Sequence, residues 1–159
     1  MQWKLITDVI LISAFATFAV FVMIGICQLF KRKSLRKVDR ELLWAILPLA
    51  LMTITYVVFD KFWVLNVRPD GSGEPSFPST HAMVVATIFL MAAIILPKYV
   101  KSKSACAVLD LMMLLLLFLV CVGRVFAGMH WISDVLGGLG FALIFVTIYY
   151  LIIRRKKNG

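Results

Sequence analysis

The sequence is poor in acid, in histidine and in cysteine: 8 Asp and Glu stand against 17 Lys and Arg, with 2 His and 3 Cys among 159 residues. Cys27, Cys106 and Cys121 lie in apolar runs, at no metal-ligand spacing and at no loop position that suggests a disulfide, so they are read as small packing residues. No internal repeat or low-complexity tract is present. No nucleic-acid-binding motif accompanies the positive balance, which leaves a nucleic-acid partner without support. The first apolar run is longer than the core of a cleavable signal peptide, and its positive charge follows it instead of preceding it; it is read as a retained anchor.

Hydrocarbon is what the sequence has in excess. Its hydrophobic share is 62% and its mean hydropathy +0.98, whereas an ordinary soluble domain is about half apolar. A helix that crosses a bilayer needs about 20 mainly apolar residues, and five stretches approach that length, at roughly 8 to 30, 42 to 59, 80 to 97, 105 to 123 and 135 to 153. They predict an all-α, polytopic membrane helix bundle of five transmembrane helices, in a single domain over residues 1–159.

Thirteen of the 17 cations fall into three groups: Lys31, Arg32, Lys33, Arg36, Lys37 and Arg40; Lys98, Lys101 and Lys103; Arg154, Arg155, Lys156 and Lys157. A five-helix alternation puts all three groups on one side. Loops rich in Lys and Arg stay in the cytoplasm, so the amino terminus is predicted outside and the carboxyl terminus inside. Lys4 stands near the start, and the last three cations, Lys61, Arg68 and Arg124, sit in polar segments on the opposite, extracytoplasmic side.

Both histidines lie in those two segments. The first runs from Lys61 to Pro69 and then through Pro78, Ser79, Thr80 and His81; the second runs from Arg124 through His130 to Asp134. Lys61 to Arg68 is read as two further turns of the second helix, ending before Pro69, which would set both cations on one face about 10 Å apart along the axis. Asp70 to Pro75 reads as turns in a flexible excursion. Ser79 is placed as a helix cap with Thr80 and His81 just inside the helix, where outward backbone amides suit an anion. His130 and Asp134 are four apart, the spacing at which a carboxylate on the same helical face could hold one ring nitrogen and leave the other free. Gly137, Gly138 and Gly140 are expected to permit close helix packing. Phe62, Trp63 and Trp131 are read as interfacial anchors, and Asp110 as a structural polar contact or a partly solvated group. Three cations, two histidines, a serine and a carboxylate beside a membrane point to phosphate chemistry.

In these residues the chain resembles the type 2 phosphatidic acid phosphatase family of integral membrane enzymes. Its signatures are Lys, six residues, Arg-Pro, matched by Lys61 to Pro69; Pro-Ser-any-His, matched by Pro78 to His81; and Ser-Arg, five residues, His, three residues, Asp, matched at Arg124, His130 and Asp134. Gly123 stands where the family has serine, which removes one possible donor to phosphate. The family commonly has six membrane helices, one more than predicted here.

The resemblance implies that His130 attacks phosphorus to form a phosphohistidine while Asp134 orients it. His81 would protonate the leaving oxygen and then activate water. Lys61, Arg68 and Arg124 would hold the phosphate oxygens, assisted by Ser79, Thr80 and the amides of the helix start. No metal and no cofactor are implied. The implied substrate is a membrane lipid phosphate or diphosphate met at the outer face of a bacterial cytoplasmic membrane, with undecaprenyl diphosphate first and phosphatidylglycerophosphate or phosphatidate as alternatives. A non-enzymatic protein that binds or transports an anion or lipid headgroup is the competing class; it would need the cations but not the oriented histidine.

Overall fold

The computed structural model describes residues 2–155; Lys156 and Lys157 of the last basic group lie outside the described residues. In chain order the helices are α1 (Gln2–Arg32), a 3-10 turn (Leu35–Lys37), α2 (Arg40–Trp44), α3 (Ile46–Val57) with a wider π-type turn (Val58–Phe62), α4 (Thr80–Tyr99), α5 (Lys103–Phe126) and α6 (Ile132–Arg155). Among the described residues there is no β-strand, only an isolated antiparallel bridge between Val67 and Pro75. Five segments are long and apolar enough to cross a membrane: Gln2–Arg32, Arg40–Phe62, Thr80–Tyr99, Lys103–Phe126 and Ile132–Arg155. They coincide with the five predicted runs, each somewhat longer.

The second span is broken at Ala45, between α2 and α3. Pro48 is the cause: it has no N–H for the carbonyl of Trp44 one turn earlier, and its ring crowds that carbonyl.

α4 is the centre of the bundle. It packs against α6, α5, α1 and α3, and 61% of its membrane window is buried, against 11% to 28% for the other spans. Hydropathy does not explain this choice, since every span is apolar all round. α4 carries Ala82, Ala86 and Ala92, all buried, small residues that let neighbouring backbones come close. α5, by contrast, presents Leu111, Leu114, Leu115 and Phe118 outward, a surface suited to lipid tails.

A polar network ties the basic end of the bundle together. Asp39 Oδ2 accepts from Gln28 Nε2 at 2.8 Å and Tyr99 Oη at 2.7 Å, and Asp39 Oδ1 is 3.1 Å from Arg32 Nη1. Lys98 pairs with Glu41 at 2.6 Å, and Arg40 Nη2 donates to the Ile152 carbonyl at 2.7 Å. Burial opposes charge on Asp39, but the hydrogen bonds from Tyr99, Gln28 and Arg32 overcome it and hold its carboxyl well below the usual carboxylate range. These contacts fasten the broken span to α1, α4 and α6. The other end of the bundle gathers the starts of α1, α4 and α6 and the ends of α3 and α5.

Candidate active site

Two glycines decide how the start of α4 meets the start of α6. A methyl group on Gly138 would stand 2.7 Å from the Ser79 carbonyl oxygen, and one on Gly137 would run into the Phe77 ring. With hydrogen at both positions the segments touch, and Ser79 N donates to the Asp134 carbonyl at 2.9 Å. The expected close packing is present at these two glycines and absent at Gly140, where a methyl would meet nothing within 4 Å.

His130 lies in the connection before α6, not on the helix. α5 ends at Phe126, the chain reverses through Gly128 at φ +67, a left-handed geometry natural to glycine, and Met129 N donates back to the Arg124 carbonyl at 3.2 Å. The buried imidazole donates from Nδ1 to the Ser76 carbonyl at 2.9 Å, so Nε2 carries the lone pair and faces Arg124 Nη2 at 3.3 Å. Asp134 is 3.8 Å from Nδ1, too far for a hydrogen bond. Its carboxylate accepts instead from Trp131 N at 2.9 Å and Asn66 Nδ2 at 2.7 Å. The expected direct hold of Asp134 on the ring is therefore corrected: His130 precedes the helix, the four-residue spacing does not act as a helical spacing, and the Ser76 carbonyl sets the tautomer. Burial, aided by the positive charge of Arg124, pushes the His130 imidazole down from the ordinary 6.5 to about 4.

A cavity of about 260 Å³ lies beside this ring, and Arg68, Thr80, His81, Arg124 and His130 all line it. His81 Nε2 is 2.9 Å from Asp8 Oδ1 of α1, and the same oxygen is 3.7 Å from Arg124 Nη1. Arg68 pairs with Glu74 at 2.6 Å through Nη1. Among the described residues, Arg68 Nε, Arg124 Nε and Nη1, Ser76 Oγ and Ser79 Oγ are buried without a hydrogen-bond partner. Ser79 does occupy the cap position of α4, but its hydroxyl does not cap. Buried donors without partners are costly, and a phosphate group would satisfy several of them at once.

The sequence model of the PAP2 superfamily matches residues 55–158. The chain belongs to the PAP2 superfamily. Phosphatidylglycerophosphatase B of Bacillus subtilis is 31% identical over 137 residues, covering 79% of this chain and 63% of that protein. Lipid A 1-phosphatase of Rhizobium johnstonii is 31% identical over 99 residues, covering 61% of this chain and 36% of that protein. The chain thus spans less than two thirds of the length of either relative. The crystal structure of a transmembrane PAP2-type phosphatidylglycerolphosphate phosphatase from Bacillus subtilis superposes with a TM-score of 0.74 at 23% identity, over 97% of this chain and 76% of that one, so the fold is shared.

Within this PAP2 chain, Lys61 departs from expectation. The π-type turn ends at Phe62 and the chain runs on without helix to the Val67–Pro75 bridge, so Lys61 and Arg68 do not share a helical face. Lys61 Nζ is 2.8 Å from Asp60 Oδ2 with its side chain 70% exposed, and it is not among the residues that line the cavity. The excursion after Arg68 is tied down as well: Arg68 N donates to the Glu74 carbonyl at 3.0 Å and Ser76 N to the Asn66 carbonyl at 2.9 Å. Phe62, Trp63 and Trp131 are exposed at this end, as interfacial anchors would be. Asp110 is half-buried, with Oδ1 buried and without a partner among the described residues, so no polar contact is seen at that oxygen, and Cys27 is exposed, not packed.

The serine that PAP2 motifs carry before the arginine is excluded here by packing. A Cβ on Gly123 would stand 2.7 Å from Thr7 Cγ2 and 3.3 Å from Trp3 Cε3, because α1 lies directly against α5 at this point. Three site residues escaped the sequence reading: Asp8, Ser76 and Asn66. Asp8 had a signal, an acid two turns into an apolar span on the side where the motifs fall. Ser76 acts through its backbone carbonyl, which no side-chain pattern can reveal.

Proposed function

We propose that the protein is a lipid phosphatase that works through a phosphohistidine at His130. The observation that carries this reading is the state of that ring: Nδ1–H is committed to the Ser76 carbonyl, and Nε2, with its lone pair, adjoins Arg124 in a cavity shared with Arg68 and His81. An anion-capturing protein needs the arginines but no neutral, oriented imidazole. In the first step Nε2 forms the N–P bond as the P–O bond to the lipid breaks, and the departing oxygen takes a proton from His81. In the second, His81 takes a proton from water, the resulting hydroxide attacks phosphorus, and the N–P electron pair returns to Nε2. Arg68 and Arg124 neutralise the charge on the phosphoryl oxygens, with Ser79, Thr80 and the first-turn amides of α4 as donors and Lys61 adding charge from the rim.

Asp134, 3.8 Å from Nδ1, supports the positive ring of the intermediate without a direct hydrogen bond. Turnover is proposed to be metal-independent, the two histidines and the cations supplying the nucleophile, the acid and the charge. The Lys and Arg bias of the loops supports an amino terminus outside, a carboxyl terminus inside and an extracytoplasmic site.

Undecaprenyl diphosphate is the substrate we propose, a polyprenyl diphosphate whose tail stays in the bilayer while the head enters the cavity. Phosphatidylglycerophosphate is the second reading, favoured by the likeness to phosphatidylglycerophosphatase B over 79% of the chain. The test is phosphate release from each lipid by the purified chain in detergent containing a chelator. Release from one or both is expected, and His130→Ala should lower it by at least about 10³-fold while the variant stays folded. Equal release by the variant removes the nucleophile, and no release from any lipid phosphate by the parent chain removes the enzyme.

A further inference from the structure

The residue that His81 touches belongs to none of the three signatures and lies outside the PAP2 match at 55–158: it is Asp8 of α1, with Oδ1 2.9 Å from His81 Nε2. Asp8 lies less than two turns into α1, at the end of the bundle that gathers the motifs, with its side chain 41% exposed. The turn of α1 that carries Asp8 is fixed by its neighbours. Thr7 is fully buried and donates to the carbonyls of Trp3 and Lys4, while Trp3 stacks on Phe126 of α5 at 5.6 Å between centroids. The same contact leaves no room for a side chain on Gly123, so the glycine in the family serine's place allows the close seat of α1 on α5 beside Asp8.

We propose that Asp8 is a positioning residue that orients His81 and stabilises its protonated form; this rests on the phosphatase reading above. The titratable and charged groups that share the cavity with His81 are Tyr56 and Asp60 of the second span, Arg68, Arg124 and His130. The two arginines oppose a proton on the ring, and Asp8 is the carboxylate in hydrogen-bonding contact with it, so it supplies the opposing field at the shortest range. Asp8 accepts from Nε2–H and the other ring nitrogen carries the proton that passes to the leaving oxygen. When that nitrogen later takes a proton from water, the Nε2–H bond to Asp8 is unchanged, so the carboxylate itself never gains or loses a proton.

Phosphate release by the full chain, Asp8→Asn and Asp8→Glu, measured across about pH 5 to 9 on a lipid phosphate and on an aryl phosphate with a good leaving group, tests this. Asp8→Asn should lower kcat on the lipid by about 10- to 100-fold with KM nearly unchanged, lose much less on the aryl ester, and move the alkaline limb of the profile down by at least about one pH unit; Asp8→Glu should recover part of each effect. An NMR titration of the His81 ring should show the same downward displacement in Asp8→Asn even where turnover is too weak to follow. An unmoved alkaline limb with kcat retained overturns the proposal. So does a lowered KM with tighter inhibition by inorganic phosphate and kcat retained, since that would make Asp8 a competitor for the anion site. If His130→Ala is dead and Asp8→Asn is normal, only this proposal fails; if the parent chain releases no phosphate, the phosphatase reading fails with it.

Discussion

The two histidines are given different partners, and the difference matches the two roles the proposed reaction gives them. His130 donates to a neutral carbonyl and faces an arginine, which favours the neutral ring; His81 faces a carboxylate, a partner that can accept from one ring nitrogen while the other is turned to the substrate. With the His130 imidazole held down to about 4, its free base persists far below the ordinary 6.5, so the acid limb of kcat/KM is expected near pH 4 and not near 6.5, a pH–rate profile being the check. The sign for stability follows from linkage. Between pH 6.5 and 4 the unfolded chain binds a proton at His130 that the folded chain refuses, so stability falls as pH drops through that window, by about 3 kcal/mol if the whole shift is expressed. His130→Gln, which does not titrate, should lose that part of the slope in thermal unfolding followed in detergent; an identical slope in both proteins would count against the buried neutral ring.

At the scale of the element, close approach between helices assembles the site, and glycine is the agent at the points where it matters. Gly138 has a backbone oxygen 2.7 Å from its added Cβ, and Gly123 a β-branched, fully buried Thr7 at the same distance, so neither clash is relieved by turning a side chain. Gly138→Ala and Gly123→Ser are each expected to destabilise by about 1 to 3 kcal/mol, seen as a lower thermal midpoint. Gly123→Ser should also lower activity, although it writes the family serine back into the motif, because it lifts α1 and with it Asp8. Gly140→Ala, with open space around it, serves as the control and should stay within about 0.5 kcal/mol of the parent or gain slightly. A Gly123→Ser protein more active than the parent would show that α1 yields without consequence.

For the whole molecule, the bundle separates an end fastened by Asp39, Lys98, Glu41 and Arg40 from an end that gathers the motifs, the arrangement the loop charges predict for a site outside the cell. A cysteine at Ser72, in the exposed turn of the first motif loop, should react with a membrane-impermeant thiol reagent in intact cells; reaction only after permeabilisation reverses the orientation. The five spans, the polar segments between them and the chemical groups they carry were all readable in the sequence, because the length of a helix that fits hydrocarbon and the charge of a short loop are local properties that add along the chain. The tertiary structure alone decided that Ser76 and not Asp134 bonds His130, that Lys61 pairs with Asp60 outside the cavity, that Asp8 meets His81, and why Gly123 replaces serine. In helices apolar on every face, hydropathy does not say which side turns inward, so pairing and rotation are set by where small residues let backbones touch and where distant polar atoms find partners.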